Sequence, residues 1–135
     1  MSVDIGNMIL QAQPFSVLLG VQCTKIESGK VELLLPINPN LTQQNGFVHG
    51  GVVSYLADNA MGIAAGAKAM RPVLTSEFKI NFVRPAIGET LIARGEVLYA
   101  GKSQHVVQAQ VFAVKDNQEK LCAIAQGTII VNSAS

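Results

Sequence analysis

At 135 residues the chain is long enough for one domain with a hydrophobic core and too short for two of ordinary size. Hydrophobic residues make up 49% of it and charged residues 14%, which excludes disorder and exceeds what so small a monomer can bury, so we expect an oligomer. The formal net charge of +1, with Lys and Arg scattered along the chain, provides no electrostatic basis for binding nucleic acid or an anionic membrane.

The two cysteines, Cys23 and Cys122, are too few for a disulfide-stabilised fold and form no CxxC pair of the kind that binds a metal. We therefore expect two buried free thiols and no metal site. The N-terminal residues carry an acid but no base before a modest apolar run, and nowhere do about 18 apolar residues follow one another, as a membrane-spanning helix requires. These features predict a cytoplasmic protein with no membrane partner.

The first third of the chain predicts one helix and one hairpin. Weak helical spacing over residues 5–13, followed by Pro14, predicts a short helix that packs at the edge of the domain. The next segment, LLGVQCTKIESGKVELLLPI, predicts two strands divided by a tight turn at Ser28 and Gly29. The Asn- and Pro-rich segment NPNLTQQNG then predicts a loop.

A long helix is predicted over residues 49–68. This stretch contains no proline and no period-two alternation, and Ala, Leu and Met are frequent in it, although its glycines weaken the helical signal locally. Small and apolar side chains occur on every side of the helix, a pattern typical of a helix surrounded by protein. We therefore expect this helix at the centre of the fold.

The residues after Pro72 predict a sheet. The segment VLTSEFKINFV alternates in period two, which predicts a strand with Leu74, Ser76 and Phe78 on its buried face and Thr75 on the other. Three similar segments follow through short connections, which favour antiparallel pairing. We predict a single α+β domain, in which one sheet of five or six antiparallel strands curls around the long helix.

One carboxylate is isolated within the predicted central helix. Between Glu32 and Lys68 the chain carries no formal charge except Asp58. The neighbours of Asp58 at helical spacing are all uncharged: Ser54, Tyr55, Met61 and Gly62. A solvated or helix-capping carboxylate is the alternative, but a solvated helix face normally carries further charges. This isolation favours a functional role for Asp58.

The predicted helix begins at His49, Gly50 and Gly51. The first turn of a helix presents unpaired backbone N–H groups and the positive end of the helix dipole, and glycines allow a ligand to approach that backbone. The pattern therefore favours a site that stabilises an oxyanion. The alternative is that the two glycines only allow the helix and the sheet to pack closely.

The motif GFVHGGVVSYLAD, the strand segment TSEFKINFVRPAIGETL and a later GK between strands together resemble the hotdog-fold acyl-CoA thioesterases of the phenylacetic acid degradation type, the PaaI-like family. The resemblance extends from about residue 35 to residue 131. It implies a hotdog fold and hydrolysis of an acyl-CoA thioester to a free carboxylic acid and coenzyme A. It also implies that no metal or redox cofactor takes part.

The resemblance implies a site shared between subunits of a dimer, or of a dimer of dimers. Asp58 follows Gly50 by two helical turns, about 12 Å along the helix axis, so it cannot act on a carbonyl bound at Gly50 of its own chain. In the family, the glycine of one helix start faces the acid of the partner's helix. Asp58 is then either a general base for water or a nucleophile, and the backbone N–H of Gly50 polarises the thioester carbonyl.

The same resemblance implies roles for further residues near the helix start. Gln43 occupies a position where the family has Asn or Gln, and its side-chain amide is expected to donate to the thioester carbonyl. Asn45 is close enough to be an alternative, although Asn45 and Gly46 are also typical of a plain turn. His49 either orients the carbonyl or fixes the turn as a capping residue, and Gly51 is expected to line the substrate site beside Gly50.

The strand after the helix supplies the remaining candidates. The family places a Ser or Thr hydroxyl here to hold the attacking water, and we expect this residue to be Thr75. Alternation puts Ser76 on the apolar face instead, so a bulge in the strand decides between the two. Arg84 and Lys102 lie at predicted strand ends near turns and are candidates for binding the phosphates of coenzyme A.

Two other functions are considered. A hydroxyacyl-thioester dehydratase on the same fold would need a histidine in a differently spaced motif, which the sequence lacks. A non-catalytic module that binds or senses acyl-CoA is the remaining alternative, but binding alone does not require a buried acid such as Asp58. The small residues around Asp58 favour an aliphatic or small aryl acyl group.

Overall fold

The computed structural model describes residues 2–132, so Met1 and residues 133–135 of the predicted domain lie outside the described part. Within it, the chain forms three α-helices, a short 3-10 turn at Pro39–Leu41 and six β-strands. The helices are α1 Val3–Gln11, α2 Pro14–Leu19 and α3 Gly50–Ala69. The strands are β1 Gln22–Glu27, β2 Lys30–Pro36, β3 Val73–Phe82, β4 Thr90–Ala100, β5 Gln104–Lys115 and β6 Gln118–Val131.

The N-terminal region differs from the prediction, because it contains two helices. The side chain of Ser2 accepts a hydrogen bond from the Ile5 N–H and starts α1 two residues early. Pro14 ends the first helix and is also the first residue of α2. Proline has no backbone N–H group, but the N–H groups in the first turn of a helix have no partner within the helix, so α2 loses no hydrogen bond there. Gly20, with φ of 88°, ends α2, so residues 18–19 belong to a helix and not to the first predicted strand.

The six strands form one antiparallel sheet in the order β1-β2-β4-β5-β6-β3. Inward-facing side chains of the four middle strands are fully buried against α3, which confirms the predicted sheet around a central helix. Prominent among them are Leu33, Leu91, Val107, Val111 and Ile129. No helix in the described range is long and apolar enough to cross a membrane.

Small residues allow the sheet to approach α3 closely. The helix buries Ala57, Ala60 and Ala64 completely. On β4, a Cβ added to Gly95 would lie 2.5 Å from the carbonyl oxygen of Ala60, so only glycine fits where this strand crosses the helix. Close approach of the helix to the sheet therefore depends on Gly95 and not on the glycines at the start of α3.

Strand β3 lies at the edge of the sheet and contains a bulge. Its register against β6 shifts between Thr75 and Glu77, so the strict alternation predicted from the sequence is wrong here. Thr75 is half-buried and shares the inner face with Phe78, while Leu74 is 69% exposed and Ser76 is also exposed. The shift changes the face on which the first residues of the strand lie.

Candidate functional site

The start of α3 is capped by His49. Its Nδ1 atom accepts a hydrogen bond of 2.8 Å from the Gly51 N–H, so this backbone donor is already occupied. No partner for the Gly50 N–H is found among residues 2–132. Of the two glycine donors expected from the sequence, Gly50 therefore keeps its N–H group available at the positive end of the helix.

A cavity of about 390 Å³ opens beside this helix start, and its lining includes Gln43, Gly50, Phe82 and Arg84. A Cβ added to Gly50 would lie 3.5 Å from two ring atoms of Phe82, which is an ordinary van der Waals distance. Packing within the chain does not require a glycine at this position. The alternative that Gly50 serves only close packing is therefore not supported by its surroundings.

Gln43 and Asn45 occupy different positions around this cavity. Gln43 lines it, whereas Asn45 is exposed and lies outside its lining. The Asn45 backbone N–H donates to Oε1 of Gln43, which orients the amide and leaves its Nε2 group as a donor. Asn45 therefore acts on Gln43 through its backbone, and Gln43 is the better placed of the two to meet a bound carbonyl.

Asp58 lies in the middle of α3 and is half-buried. One of its carboxylate oxygens accepts a hydrogen bond of 2.6 Å from the Thr75 hydroxyl. No cation pairs with Asp58 in the described part of the chain, and the residue is far from either end of the helix. Asp58 is thus neither a capping residue nor part of a surface ion pair, and its second oxygen remains available.

The bulge in β3 decides which hydroxyl reaches Asp58. Because the register shifts after Thr75, that side chain faces the helix, while Ser76 faces solvent. A Cβ at Gly127 on β6 would collide with the carbonyl oxygen of Glu77, so glycine is needed beside the bulge. The Thr75 hydroxyl donates to Asp58 and still has lone pairs with which it could accept a bond from water.

A second cavity, of about 780 Å³, contains both Asp58 and Thr75. It shares no lining residue with the cavity at Gly50. Most of its walls are apolar or small: Ile9, Phe15, Gly62, Ile63, Gly66, Ala67, Met70, Val73 and Leu74. The two groups expected to act on one thioester thus lie in separate cavities of one chain.

The two candidate phosphate ligands are not brought together. Arg84 is exposed beside the Gly50 cavity, just past the end of β3, and its guanidinium donates to the Leu121 carbonyl at 3.4 Å. Lys102 lies in the turn between β4 and β5, next to the end of β6 that pairs with the start of β3. Ten residues of β3, roughly 30 Å, separate the two ends.

The sequence reasoning missed one group of polar residues in the Asp58 cavity. Gln13, Ser16, Tyr55 and Asn59 are hydrogen-bonded to one another there. Tyr55 precedes Asp58 by three residues and Asn59 by four, both of which are helical spacings, so these two residues could have been found from the sequence. Gln13 caps the start of α2 and Ser16 lies within it, and no local pattern reveals the position of this helix against α3.

The two histidines serve different parts of the structure. His105 is buried on β5, where burial, with smaller contributions from the nearby charges of Lys68 and Arg71, lowers the pKa of its imidazole. His49 caps α3. Among residues 2–132, no group of three His, Cys, Asp or Glu side chains lies close enough to hold a metal ion.

Comparison with known proteins identifies the family. The model of the thioesterase superfamily matches residues 45–120, more than half of the chain, including both Gly50 and Asp58. The chain belongs to the thioesterase superfamily. The resemblance seen in its motifs and the hotdog architecture are thereby confirmed.

Several members of this superfamily are similar over most of the chain. The 1,4-dihydroxy-2-naphthoyl-CoA hydrolase of Listeria monocytogenes is 31% identical, covering 84% of this chain and 91% of that protein. The acyl-coenzyme A thioesterase PaaI of Escherichia coli is 26% identical, covering 81% and 76%. A crystal structure of a thioesterase family protein from Silicibacter pomeroyi superposes with a TM-score of 0.87 at 36% identity, covering 93% and 95%.

Proposed function

We propose that this superfamily member hydrolyses an acyl-CoA thioester to a free acid and coenzyme A, at a site built by two copies of the chain. One observation carries the proposal: the free Gly50 N–H and the Thr75-bound Asp58 lie on one helix but in separate cavities. A reacting group must come within about 3.5 Å of the carbonyl carbon, whereas eight helical residues span about 12 Å. Asp58 therefore needs a carbonyl held by another chain.

The two ends of β3 explain how a second copy would complete the site. Thr75, which binds Asp58, lies at the start of β3, and Phe82, which faces Gly50, lies at its end. If two copies paired their β3 strands antiparallel about a two-fold axis, the start of one strand would meet the end of the other. Asp58 would then approach Gly50 of the partner subunit, and the two-fold axis would create two such sites.

The outer edge of β3 supports such pairing. Within the described residues, β3 has a strand partner only on its β6 side, and an edge strand of this length invites pairing with another chain. Large apolar side chains are exposed along and beside it: Leu74, Phe82 and Val83. An exposed apolar edge is consistent with the oligomer expected from the composition.

The groups divide the chemistry as follows. The Gly50 N–H, assisted by the Gln43 amide, holds the thioester oxygen as negative charge develops, a contribution of roughly 3 kcal/mol for one such donor. Asp58 either takes a proton from the attacking water or attacks the carbonyl carbon itself, and Thr75 holds its carboxylate in place. With water as the nucleophile, the C–S bond breaks as the proton taken by Asp58 passes to the sulfur, and coenzyme A leaves as a thiol. With Asp58 as the nucleophile, the same break releases a thiolate, which takes its proton from water, and leaves a mixed anhydride that a water molecule then hydrolyses to the free acid and the Asp58 carboxylate. Arg84 and Lys102 remain candidates for the phosphates of coenzyme A.

The test combines turnover with oligomeric state. Thiol release from a panel of acyl-CoA thioesters should show hydrolysis of at least one of them, and light scattering on the same sample should show a dimer or a dimer of dimers. A non-catalytic module would bind acyl-CoA without releasing thiol. A species with the 14.3 kDa mass of one chain that still hydrolyses acyl-CoA would contradict the shared site.

A further inference from the structure

Strand β3 carries two opposite charges on the solvent-facing side of the sheet edge. Beyond its bulge the strand pairs regularly with β6, so Glu77 and Lys79, two residues apart, lie on the same face. The opposite face of this segment packs against the core through Phe78 and Ile80. Glu77 and Lys79 therefore stand side by side at the edge that the proposed dimer pairs.

Neither charge is neutralised within the chain. Both side chains are exposed, and neither forms an ion pair with any residue in the range 2–132. Glu77 accepts a 2.6 Å hydrogen bond from the Thr128 hydroxyl of β6, which holds the carboxylate over the sheet and leaves its charge in place. Charged residues at a strand edge often serve only to prevent pairing. The spacing of these two charges, however, fits the symmetry of a dimer.

A two-fold axis restricts how two β3 strands can pair. Residues opposite each other in an antiparallel pair lie on the same face, so one residue of the strand must stand opposite its own copy at the axis. If that residue is Glu77 or Lys79, like charges meet, which is unfavourable. If it is Ile80, neither charge meets an opposite one. If it is Phe78, Glu77 stands opposite Lys79 of the partner subunit, and the symmetry repeats this contact.

The shared site requires nearly the same register. Thr75 must approach Phe82 of the partner subunit, because these two residues contact the two halves of the proposed site. The axis then lies about midway between them along the strand, beside Phe78 or Lys79. An axis at Lys79 would place two ammonium groups together, whereas an axis at Phe78 pairs two aromatic rings and two sets of opposite charges. The charges and the site thus favour one register.

We propose that Glu77 and Lys79 select a second copy of this chain as the partner of β3 and set the register of the pair, through two symmetric ion pairs on either side of Phe78. The inference rests on the shared site proposed above. Each exposed ion pair contributes only modestly, but the other registers of the regular segment lose the attraction or replace it by repulsion. The register then brings Asp58 of one chain to Gly50 of the partner subunit.

The test separates the two charges onto different chains. In Glu77→Lys both positions are positive and in Lys79→Glu both are negative, so each homodimer has repulsive contacts and the mixed dimer has attractive ones. An equal mixture with distinguishable tags is unfolded and refolded, and native mass spectrometry counts the dimers. We expect at least about nine-tenths heterodimer, against about half for wild-type chains that pair at random. The preference should decrease at about 1 M salt.

Two controls accompany the mixture. Glu27 and Lys30 are exposed and lie opposite each other in the β1–β2 hairpin, at the other edge of the sheet. A mixture of Glu27→Lys and Lys30→Glu should therefore give about half heterodimer. A chain that carries both Glu77→Lys and Lys79→Glu restores opposite charges and should dimerise with itself as wild type does, which also shows that the fold accepts both substitutions.

The outcomes separate this inference from the proposed function. If wild-type chains are dimeric but the Glu77→Lys and Lys79→Glu mixture gives about half heterodimer, or no dimer, the register is wrong and the shared site is unaffected. Wild-type chains that are monomeric by light scattering would reject both. Nearly complete heterodimer formation without thiol release from any acyl-CoA would support the register and reject the proposed hydrolysis alone.

Discussion

The two cavities along α3 contain complementary parts of one chemistry. The cavity at Gly50 has a free backbone donor, an oriented glutamine amide and an exposed arginine, but no carboxylate or histidine among its lining residues. The cavity at Asp58 has a carboxylate held by a hydroxyl and twice the volume. The free backbone donor and the carboxylate thus lie in different cavities. This difference is the basis of the proposal that one helix contributes to two different sites, each completed by a second chain.

The surroundings of three glycines separate positions that serve packing from positions that leave space for a ligand. A Cβ at Gly95 would collide with the backbone of α3, so this glycine serves packing. A Cβ at Gly62 would meet nothing within 4 Å, and one at Gly50 would meet only Phe82 at an ordinary distance. Gly50 and Gly62, which each line a cavity, thus leave room for a ligand.

The largest effect is expected from Asp58→Asn, which removes the base from the larger cavity without changing its shape. We expect kcat to fall on the order of a hundredfold or more, since a positioned base contributes about that much. The melting temperature should change little. Asp116→Asn is the matched control, since Asp116 is exposed in the turn between β5 and β6 and its positive φ suits asparagine equally. Activity of Asp58→Asn within a few fold of wild type would remove Asp58 from the mechanism.

Gly50→Val should disable the smaller cavity through steric exclusion. The added side chain would stand where the thioester carbonyl must approach the Gly50 N–H, and we expect kcat/KM to fall by roughly a hundredfold, as for loss of an oxyanion donor. For Gly50→Ala we expect a smaller fall in kcat/KM, so the loss should increase with the size of the added side chain. Circular dichroism should show an intact fold, because Phe82 is the nearest neighbour and only in van der Waals contact. Full activity of Gly50→Val would show that this helix start binds no substrate.

Thr75→Val tests how the carboxylate is held. Valine keeps the shape of threonine but leaves Asp58 without its 2.6 Å hydrogen bond, and we expect kcat to fall by about tenfold. Thr75→Ser keeps a hydroxyl and should recover most of the loss. Ser76→Ala should have the smaller effect, because the bulge turns Ser76 to solvent. The reverse order of Thr75→Val and Ser76→Ala would mean that the strand slips by one residue in the working enzyme.

The smallest effect is expected from Gly62→Leu, which narrows the larger cavity without touching the reacting groups. The open space at this position should accept the new side chain without loss of stability. We expect a few-fold loss of kcat/KM for bulky acyl groups and little change for acetyl-CoA, since filling a pocket by a few carbon atoms changes discrimination only modestly. Equal losses for acetyl-CoA and a bulky substrate would indicate that the acyl group binds elsewhere.

Much of the fold was predictable because its signals are local. The absence of proline and the abundance of alanine mark α3, which begins and ends within one residue of the predicted range 49–68. Period-two alternation marks the strands, and short connections make them antiparallel. At the N-terminus, Pro14 was expected only to end a helix, and nothing in the neighbouring residues showed that it also begins one.

The site was predictable only in part, because its remaining features depend on contacts between distant residues. Asp58 and Gly50 are conspicuous in the sequence, as an isolated charge and as a glycine pair at a helix start. The direction of Thr75 depends on a bulge that needs Gly127, more than fifty residues away, and alternation alone predicted the opposite face. The hydrogen-bonded group of Gln13, Ser16, Tyr55 and Asn59 likewise joins the start of α2 to α3, which only the folded structure brings together.

The shared site is tested most directly by mixing Gly50→Val and Asp58→Asn chains. Each homodimer should be nearly inactive. In a heterodimer, one of the two sites carries both substitutions and the other carries neither. Unfolding and refolding an equal mixture should therefore restore about a quarter of wild-type activity if the chains pair at random and the sites act independently. A mixture that demonstrably contains heterodimer, by mass spectrometry of tagged chains, and yet stays as inactive as its parents would contradict a site made of Gly50 from one chain and Asp58 from the other.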